Sequence, residues 1–172
     1  MLAPKKANQG PTIILLLLAL IAMPGCHRVS PVQFGEKISW HDLANGRIEA
    51  AKLKRPCLVD FYYGPKCPRC SAFARNIYTD PDIISRLSTQ FVAIRVDLRK
   101  PLTPAEQALA NAMKTSGECM LMFLDSRGRI VKTRHGGPIC TMGTLTVTQF
   151  SAYLDRTLSR LHNGNQGASE PN

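Results

Sequence analysis

The fold is decided by the stretch CLVDFYYGPKCPRC, which spans residues 57–70. Its first seven residues are apolar apart from one aspartate, as expected for a central strand that is buried on both faces. A helical pattern follows the two cysteines. If Cys67 begins that helix, the free N–H groups and the helix dipole favour its thiolate, the species that attacks a disulfide. Cys70 lies one turn further on, close enough to resolve a mixed disulfide. The stretch therefore predicts a redox-active thiol pair.

A pair of cysteines at this spacing also occurs in metal sites. Zinc sites usually need a second such pair or two histidines at ligand spacing, and the sequence contains neither. Redox chemistry is therefore favoured, with no metal and no cofactor expected. Two alternatives stay open. One is a copper or zinc module that uses Cys67, Cys70 and Cys119, and the other is an adaptor whose cysteine pair is inert.

The N-terminal segment, residues 1–25, has the pattern of an export signal. Two lysines precede an unbroken apolar run at 13–21, which is too short to span a bilayer comfortably. The following Met-Pro-Gly-Cys26 resembles the lipobox of bacterial lipoproteins, in which the cysteine is lipidated. This predicts a lipid anchor on the periplasmic side, at the outer membrane in a Gram-negative host. Simple secretion and an uncleaved anchor are the alternatives, and both also lie outside the cytoplasm, where disulfides persist.

Charge and composition limit the possible partners. The full chain of 172 residues carries a formal charge of +10, and removal of the first 25 residues takes away two lysines and no acids. The basic residues are scattered, without a basic run interleaved with aromatics, so we expect no nucleic-acid partner. A solvated basic surface without a partner is the default interpretation of this charge. Contact with anionic lipid is the plainer functional use, and an acidic protein partner is the alternative. We predict a tether at 26–38, one domain at 39–162 and a disordered tail at 163–172.

Hydrophobic periodicity and capping residues predict the order of elements. The expected arrangement is a mixed α/β sheet with helices on both faces. The predicted elements are a helix over 41–54 capped by Ser39, a strand over 57–63, the helix opened by the cysteine pair, a short helix capped by Asp80, a strand over 91–97, a helix capped by Thr103, a strand over 119–124, a turn at 125–128, a returning strand over 130–135, a loop at 136–145, and a last helix that begins with a capping box at Thr146.

This order resembles the thioredoxin-like fold, and most of all the C-terminal domain of the transmembrane disulfide-interchange reductases. Trp40, the segment Val59-Asp-Phe-Tyr62 and the segment Tyr78-Thr-Asp-Pro81 match that group. The resemblance implies that Cys67 is the nucleophile and Cys70 the resolving thiol. It also implies that Asp60 is the buried acid beneath the pair, which takes the proton from Cys70.

The sequence departs from that family in two places. The family places a tryptophan directly before the first cysteine, whereas this chain has Gly64-Pro-Lys66 and an apparent one-residue insertion. The family also has a cis-proline beside the cysteine pair, and Cys119 occupies that position here. By this resemblance Cys119 and Gly136 are candidates for substrate binding. Cys140 follows in a loop that borders the site, and for both extra thiols a core, a redox and a metal role stay open.

These observations predict a membrane-anchored, extracytoplasmic thiol:disulfide oxidoreductase. Its partners would be client proteins with disulfides, a membrane protein that supplies electrons, and the membrane itself through a lipid on Cys26. The sequence does not fix the direction of electron flow.

Overall fold

The computed structural model describes residues 37–115, 121–137, 140–141 and 145–166. These residues belong to one compact unit, Val32–Asn172. They form α1 (Leu43–Leu53), β1 (Cys57–Tyr62), α2 (Pro68–Asn76), α3 (Pro81–Thr89), β2 (Val92–Asp97), α4 (Pro104–Thr115), β3 (Leu121–Leu124), β4 (Cys140–Thr141) and α5 (Val147–Gln166). In this part of the chain, no helix has the length and hydrophobicity to cross a membrane.

β1 lies inside a four-stranded sheet of order β2-β1-β3-β4. It runs parallel to β2, with Cys57 opposite Val92 and Tyr62 opposite Asp97. β3 is antiparallel to β1, and β4 is antiparallel to β3. The crossover from β1 to β2 passes through α2 and α3. The predicted mixed sheet is therefore confirmed, and so is the predicted order of elements apart from the position of the fourth strand.

Each face of the sheet is covered by its own hydrophobic core. On one face, Leu58, Ala93 and Phe123 pack with residues from α2, α3 and α5, including Phe73 and Phe150. On the other face, the intervening strand residues pack against α1 and α4. β1 contributes to both cores because its side chains alternate between the faces, which explains its nearly continuous apolar sequence.

The start of α1 differs from the prediction. The helix begins at Leu43 and not at His41, and its cap is Asp42 and not Ser39, since the Asp42 carboxylate accepts the N–H of Asn45 at 2.8 Å. His41 instead forms a parallel bridge with Ile94 at the edge of β2. A residue that pairs with a strand cannot join the helix, so the helix starts two residues later. The predicted caps at Asp80, Thr103 and Thr146 are confirmed.

The predicted returning strand over 130–135 is wrong. It begins as expected, with a bridge between Ile130 and Leu124 after the turn. A tight turn then follows, in which the N–H of Thr133 donates to the carbonyl of Gly137 at 2.6 Å. Continued pairing would place residue 132 opposite Met122, but Cys140 lies there, eight residues later. β4 therefore lies within the segment that was predicted to be a loop.

Candidate active site

Cys67 is the N-cap residue of α2, as the sequence predicts. Its backbone is extended, with φ −76° and ψ 116°, and Pro68 occupies the first helical position. Proline suits this position because the first N–H groups of a helix have no partner within it. The Cys67 sulfur accepts the N–H of Cys70 at 3.2 Å. The sulfur therefore lies at the positive end of the dipole of α2.

The loop between β1 and α2 absorbs the apparent insertion. Gly64 has φ +100°, a value that glycine adopts without strain. Its carbonyl accepts the N–H of Cys67 at 3.2 Å, and the carbonyl of Pro65 accepts the hydroxyl of Ser71 at 2.8 Å. These bonds fold the loop back onto the first turn of α2. As a result, the cysteine pair stays at the end of β1 despite the longer loop.

The two thiols differ in exposure. Cys67 is half-buried, whereas only 4% of Cys70 is exposed. Burial, followed by the hydrogen bond to the Cys67 sulfur, raises the pKa of the Cys70 thiol to about 11. The outer sulfur can therefore meet a disulfide, while the inner thiol holds its proton until a base removes it.

Asp60 lies on β1 and is 4% exposed. Burial raises the pKa of its carboxyl group, and the charge of Arg95 opposes that rise. Arg95 faces Asp60 in the parallel register of β1 and β2. Its Nε and Nη2 atoms both donate to Oδ2 of Asp60, at 3.0 and 2.8 Å. The predicted buried acid is thus one half of an ion pair. Its negative charge also contributes to the raised pKa of Cys70.

Arg95 was missed by the sequence reasoning. Its guanidinium lies 3.9 Å from the ring centroid of Trp40, 4.9 Å from that of Tyr62 and 5.9 Å from that of Tyr78. The signal was present, because Arg95 lies among apolar neighbours in the strand-like run over 91–97. The bridge at His41 places Trp40 beside this cation. Stacking on aromatic faces holds the guanidinium against the carboxylate.

Tyr78 brings a second titratable group to this region. Its hydroxyl is buried, with no hydrogen-bond partner among the described residues. Burial raises the pKa of Tyr78, and the negative charge of Asp60 is the next cause. Its ring packs edge-on against Trp40, with 5.0 Å between centroids. The Tyr78 ring therefore forms part of the apolar surroundings of the Asp60–Arg95 ion pair.

Of the other predicted site residues, only Gly136 lies within the described part of the chain. Gly136 has φ +86° and lies in an exposed turn, where an added Cβ would meet nothing within 4 Å. Cys119 and Cys26 lie outside the described residues, as do the loop residues 142–144. Cys57 is fully buried, and burial raises the pKa of its thiol to about 12. In the described ranges, no group of three or more potential metal ligands occurs.

Comparison with known proteins agrees with this geometry. The sequence profile of the thioredoxin-like domain matches residues 43–156. A thioredoxin from Thermus thermophilus has a TM-score of 0.59 at 19% identity, over 79% of this chain and 98% of that one. The DsbH oxidoreductase has a TM-score of 0.50 at 17% identity, over 82% and 95%. The oxidised C-terminal domain of DsbD from Neisseria meningitidis has a TM-score of 0.46 at 19% identity, over 69% of this chain and 97% of that one.

No curated protein matches the sequence significantly. The profile match nevertheless covers well over half of the chain, from the start of α1 into α5. The profile agrees with the thioredoxin-like resemblance that the sequence predicts, and the structure of the Thermus thermophilus thioredoxin agrees with the predicted fold. The chain therefore belongs to the thioredoxin-like domain family.

Proposed function

We propose that the chain is a thiol:disulfide oxidoreductase, anchored in a membrane and acting outside the cytoplasm. The observation that carries this proposal is the difference between the two thiols. Cys67 is half-exposed at the N-cap of α2, and Cys70 is buried behind it and donates to its sulfur. An accessible nucleophile and a protected resolving thiol are the two groups that disulfide exchange needs.

The first step is attack on a client disulfide. The Cys67 thiolate forms a bond to one client sulfur, the client S–S bond breaks, and the second client sulfur leaves as a thiolate that takes a proton from water. The product is a mixed disulfide between Cys67 and the client. The N–H of Cys70, 3.2 Å from the sulfur, helps to orient the nucleophile in the free enzyme.

The second step releases the client. Cys70 loses its proton and attacks the Cys67 sulfur, so that an intramolecular disulfide forms and the client leaves with both sulfurs reduced. Because the pKa of Cys70 is raised to about 11, this step needs a base at neutral pH. Asp60 is the buried carboxylate whose charge acts on that thiol, and we assign it the role of proton acceptor. A dithiol partner must then return two electrons to the pair, or remove them when the reaction runs in reverse.

Two features support the location and the partners. Cys26 follows an apolar run and a lipobox-like sequence, and a lipid on it would hold the domain at a membrane. The similar structures include an oxidoreductase and a disulphide isomerase from Xylella fastidiosa Temecula1, the latter with a TM-score of 0.51. Client proteins with disulfides and a membrane electron donor are the partners that this chemistry requires. Cys119 and Gly136 stay our candidates for contact with the client strand.

A redox titration of the chain in glutathione buffers tests the proposal. We expect one two-electron transition, counted as free thiols, which is lost in Cys67→Ser and in Cys70→Ser but retained in Cys119→Ser. Its potential would give the direction of electron flow. Thiols that stay masked until a chelator is added would instead indicate a metal module. The absence of exchange in every form would indicate an inert adaptor.

A further inference from the structure

A cleft of about 950 Å³ lies away from the cysteine pair. Cationic side chains dominate its lining, and these six define the basic cleft: Lys54, Arg55, Arg127, Arg129, Lys132 and Arg160. A single carboxylate, that of Asp125, is part of the lining. The cations come from the end of α1, the turn after β3 and the last turns of α5. The fold therefore gathers charges that are scattered in the sequence.

Most of this charge is not neutralised within the described part of the chain. Asp125 pairs with Arg129 at 2.7 Å. Lys54, Arg127 and Lys132 are exposed, and no carboxylate of the described residues lies within ion-pair distance of them. These side chains project into solvent, so a charged surface can approach them without any change in the fold. The basic cleft therefore presents a net positive field to any nearby anionic surface.

The basic cleft and the cysteine pair lie at opposite ends of β1. Pro56, which directly precedes β1, and Gln90, which lies just before β2, both line the cleft. Cys67 follows the other end of β1. Six strand residues at about 3.3 Å each separate the two regions by about 20 Å. Occupation of the cleft would leave the thiols accessible.

The chain also enters the domain from the side of the cleft. His41 pairs in parallel with Ile94, donating to the carbonyl of Ala93 and accepting from the N–H of Arg95. In a parallel bridge, residues that precede His41 lie toward the residues that precede Ile94. That direction leads to Gln90, which lines the cleft. The first described residues, 37–40, thus lie toward the end of the sheet that carries the unneutralised cations.

We propose that the basic cleft is a docking surface for a bilayer that contains anionic phospholipid. The proposal rests on the membrane anchoring in the proposed function and adds an orientation to it. With the cleft against the headgroups, the cysteine pair points away from the membrane toward clients. No described residue of the lining is Phe, Tyr or Trp. Protein interfaces are enriched in such anchors, so the chemistry of the cleft favours a phosphate-rich surface over a protein partner.

The test uses the full chain, reconstituted into vesicles of phosphatidylcholine alone or of three parts phosphatidylcholine to one part phosphatidylglycerol. Amide hydrogen exchange is measured at the turn from Asp125 to Arg129, where the N–H of Asp125 is bonded to the carbonyl of Arg129 at 2.8 Å. We expect exchange there to slow about tenfold in the anionic vesicles, and added salt to abolish the difference. Exchange in the turn after β2, residues 98–100, should be equal in both.

Two matched variants remove the same amount of charge. Arg127→Gln with Lys132→Gln should abolish the protection at the cleft. Lys66→Gln with Lys100→Gln, at the opposite end of β1, should retain it. Equal exchange in both vesicles would overturn the proposal, and so would protection by soluble polyglutamate without any effect of anionic lipid. Flotation of the chain with both vesicles tests the anchor by itself, and the thiol titration in the same vesicles tests the redox function by itself.

Discussion

The replacement of Arg95 by methionine would leave the Asp60 carboxylate buried without its counter-ion. In the native protein both hydrogen bonds from Arg95 reach the same oxygen, Oδ2, at 2.8 and 3.0 Å. Methionine has a similar length and is apolar, so it can pack between Trp40 and Tyr62 without adding a polar group. The variant therefore isolates the effect of the missing charge.

The magnitude follows from the burial of the pair. Removal of one partner from a buried ion pair costs roughly 3–5 kcal/mol of unfolding free energy. The Asp60 side chain is 5% exposed, but that of Arg95 is 29% exposed, so water screens part of the interaction. We therefore expect the lower end, about 3 kcal/mol at pH 7. The lost cation–π contact with Trp40 adds about 1 kcal/mol or less.

The unfolding free energy that Arg95→Met loses should depend on pH in a defined direction. Burial raises the pKa of Asp60 in the folded protein, and the removal of Arg95 raises it further. A carboxyl group with a raised folded pKa contributes stability that is fully present below its unfolded pKa, about 3.9, and is lost as pH rises through the folded value. Arg95→Met should therefore be strongly destabilised at pH 7 and much less so as the pH approaches 4.

Urea unfolding of a chain that begins at residue 27 measures both effects. The set comprises the wild type, Arg95→Met, Asp60→Asn and the double variant, each at pH 7 and at acidic pH. The double variant has no uncompensated charge, so it should recover most of the stability lost in Arg95→Met. A loss below about 1 kcal/mol at pH 7, or an equal loss at both pH values, would refute the assignment of a charged, buried pair.

Three further predictions concern the thiols and the packing of α1. Cys70→Ser should accumulate a mixed disulfide between Cys67 and a client on non-reducing gels, whereas Cys67→Ser should trap none. In a chain that keeps both cysteines, Asp60→Asn should slow the release of a client from its mixed disulfide with Cys67 about 100-fold at pH 7. Stopped-flow rates should converge with the wild type toward pH 11, since the pKa of Cys70 is about 11. Gly46→Ala should cost about 2 kcal/mol in urea unfolding, because its Cβ would lie 2.3 Å from Cγ1 of the buried Ile94. In an Ile94→Ala background that cost should disappear, and its persistence there would exclude the steric cause.

Local signals were sufficient for most of the fold. The strand before the cysteine pair, the capping residues and the apolar periodicity of the helices each depend on neighbours in the sequence, and the elements appear where these signals place them. The start of α1 was misplaced because His41 joins the edge of β2, a contact with Ile94 that the local sequence does not encode.

The prediction of a returning strand over 130–135 was wrong for a similar reason. The segment after Gly128 has strand-like composition, but β3 has two separate partners along its length, first Ile130 and then Cys140. The turn between Thr133 and Gly137 removes the intervening residues from the sheet. A two-residue strand such as β4 has too little sequence of its own to be recognised before its partner is known.

The Asp60–Arg95 pair illustrates what sequence reasoning can and cannot find at a site. The resemblance pointed to a buried acid, but its partner lies on another strand, and the alignment of the two depends on the register of β1 and β2. A buried ion pair is an expensive way to stabilise a sheet, since well-packed apolar residues in its place are often as stable or more so. Stability alone therefore does not account for a carboxylate at this depth. Its negative charge acts on Cys70 and on Tyr78, so the charge reaches the thiol that must lose a proton.

A double variant, Asp60→Asn with Arg95→Met, that folds as stably as the wild type but releases clients slowly would separate these two roles. Wild-type release rates in that variant would leave the pair as packing alone.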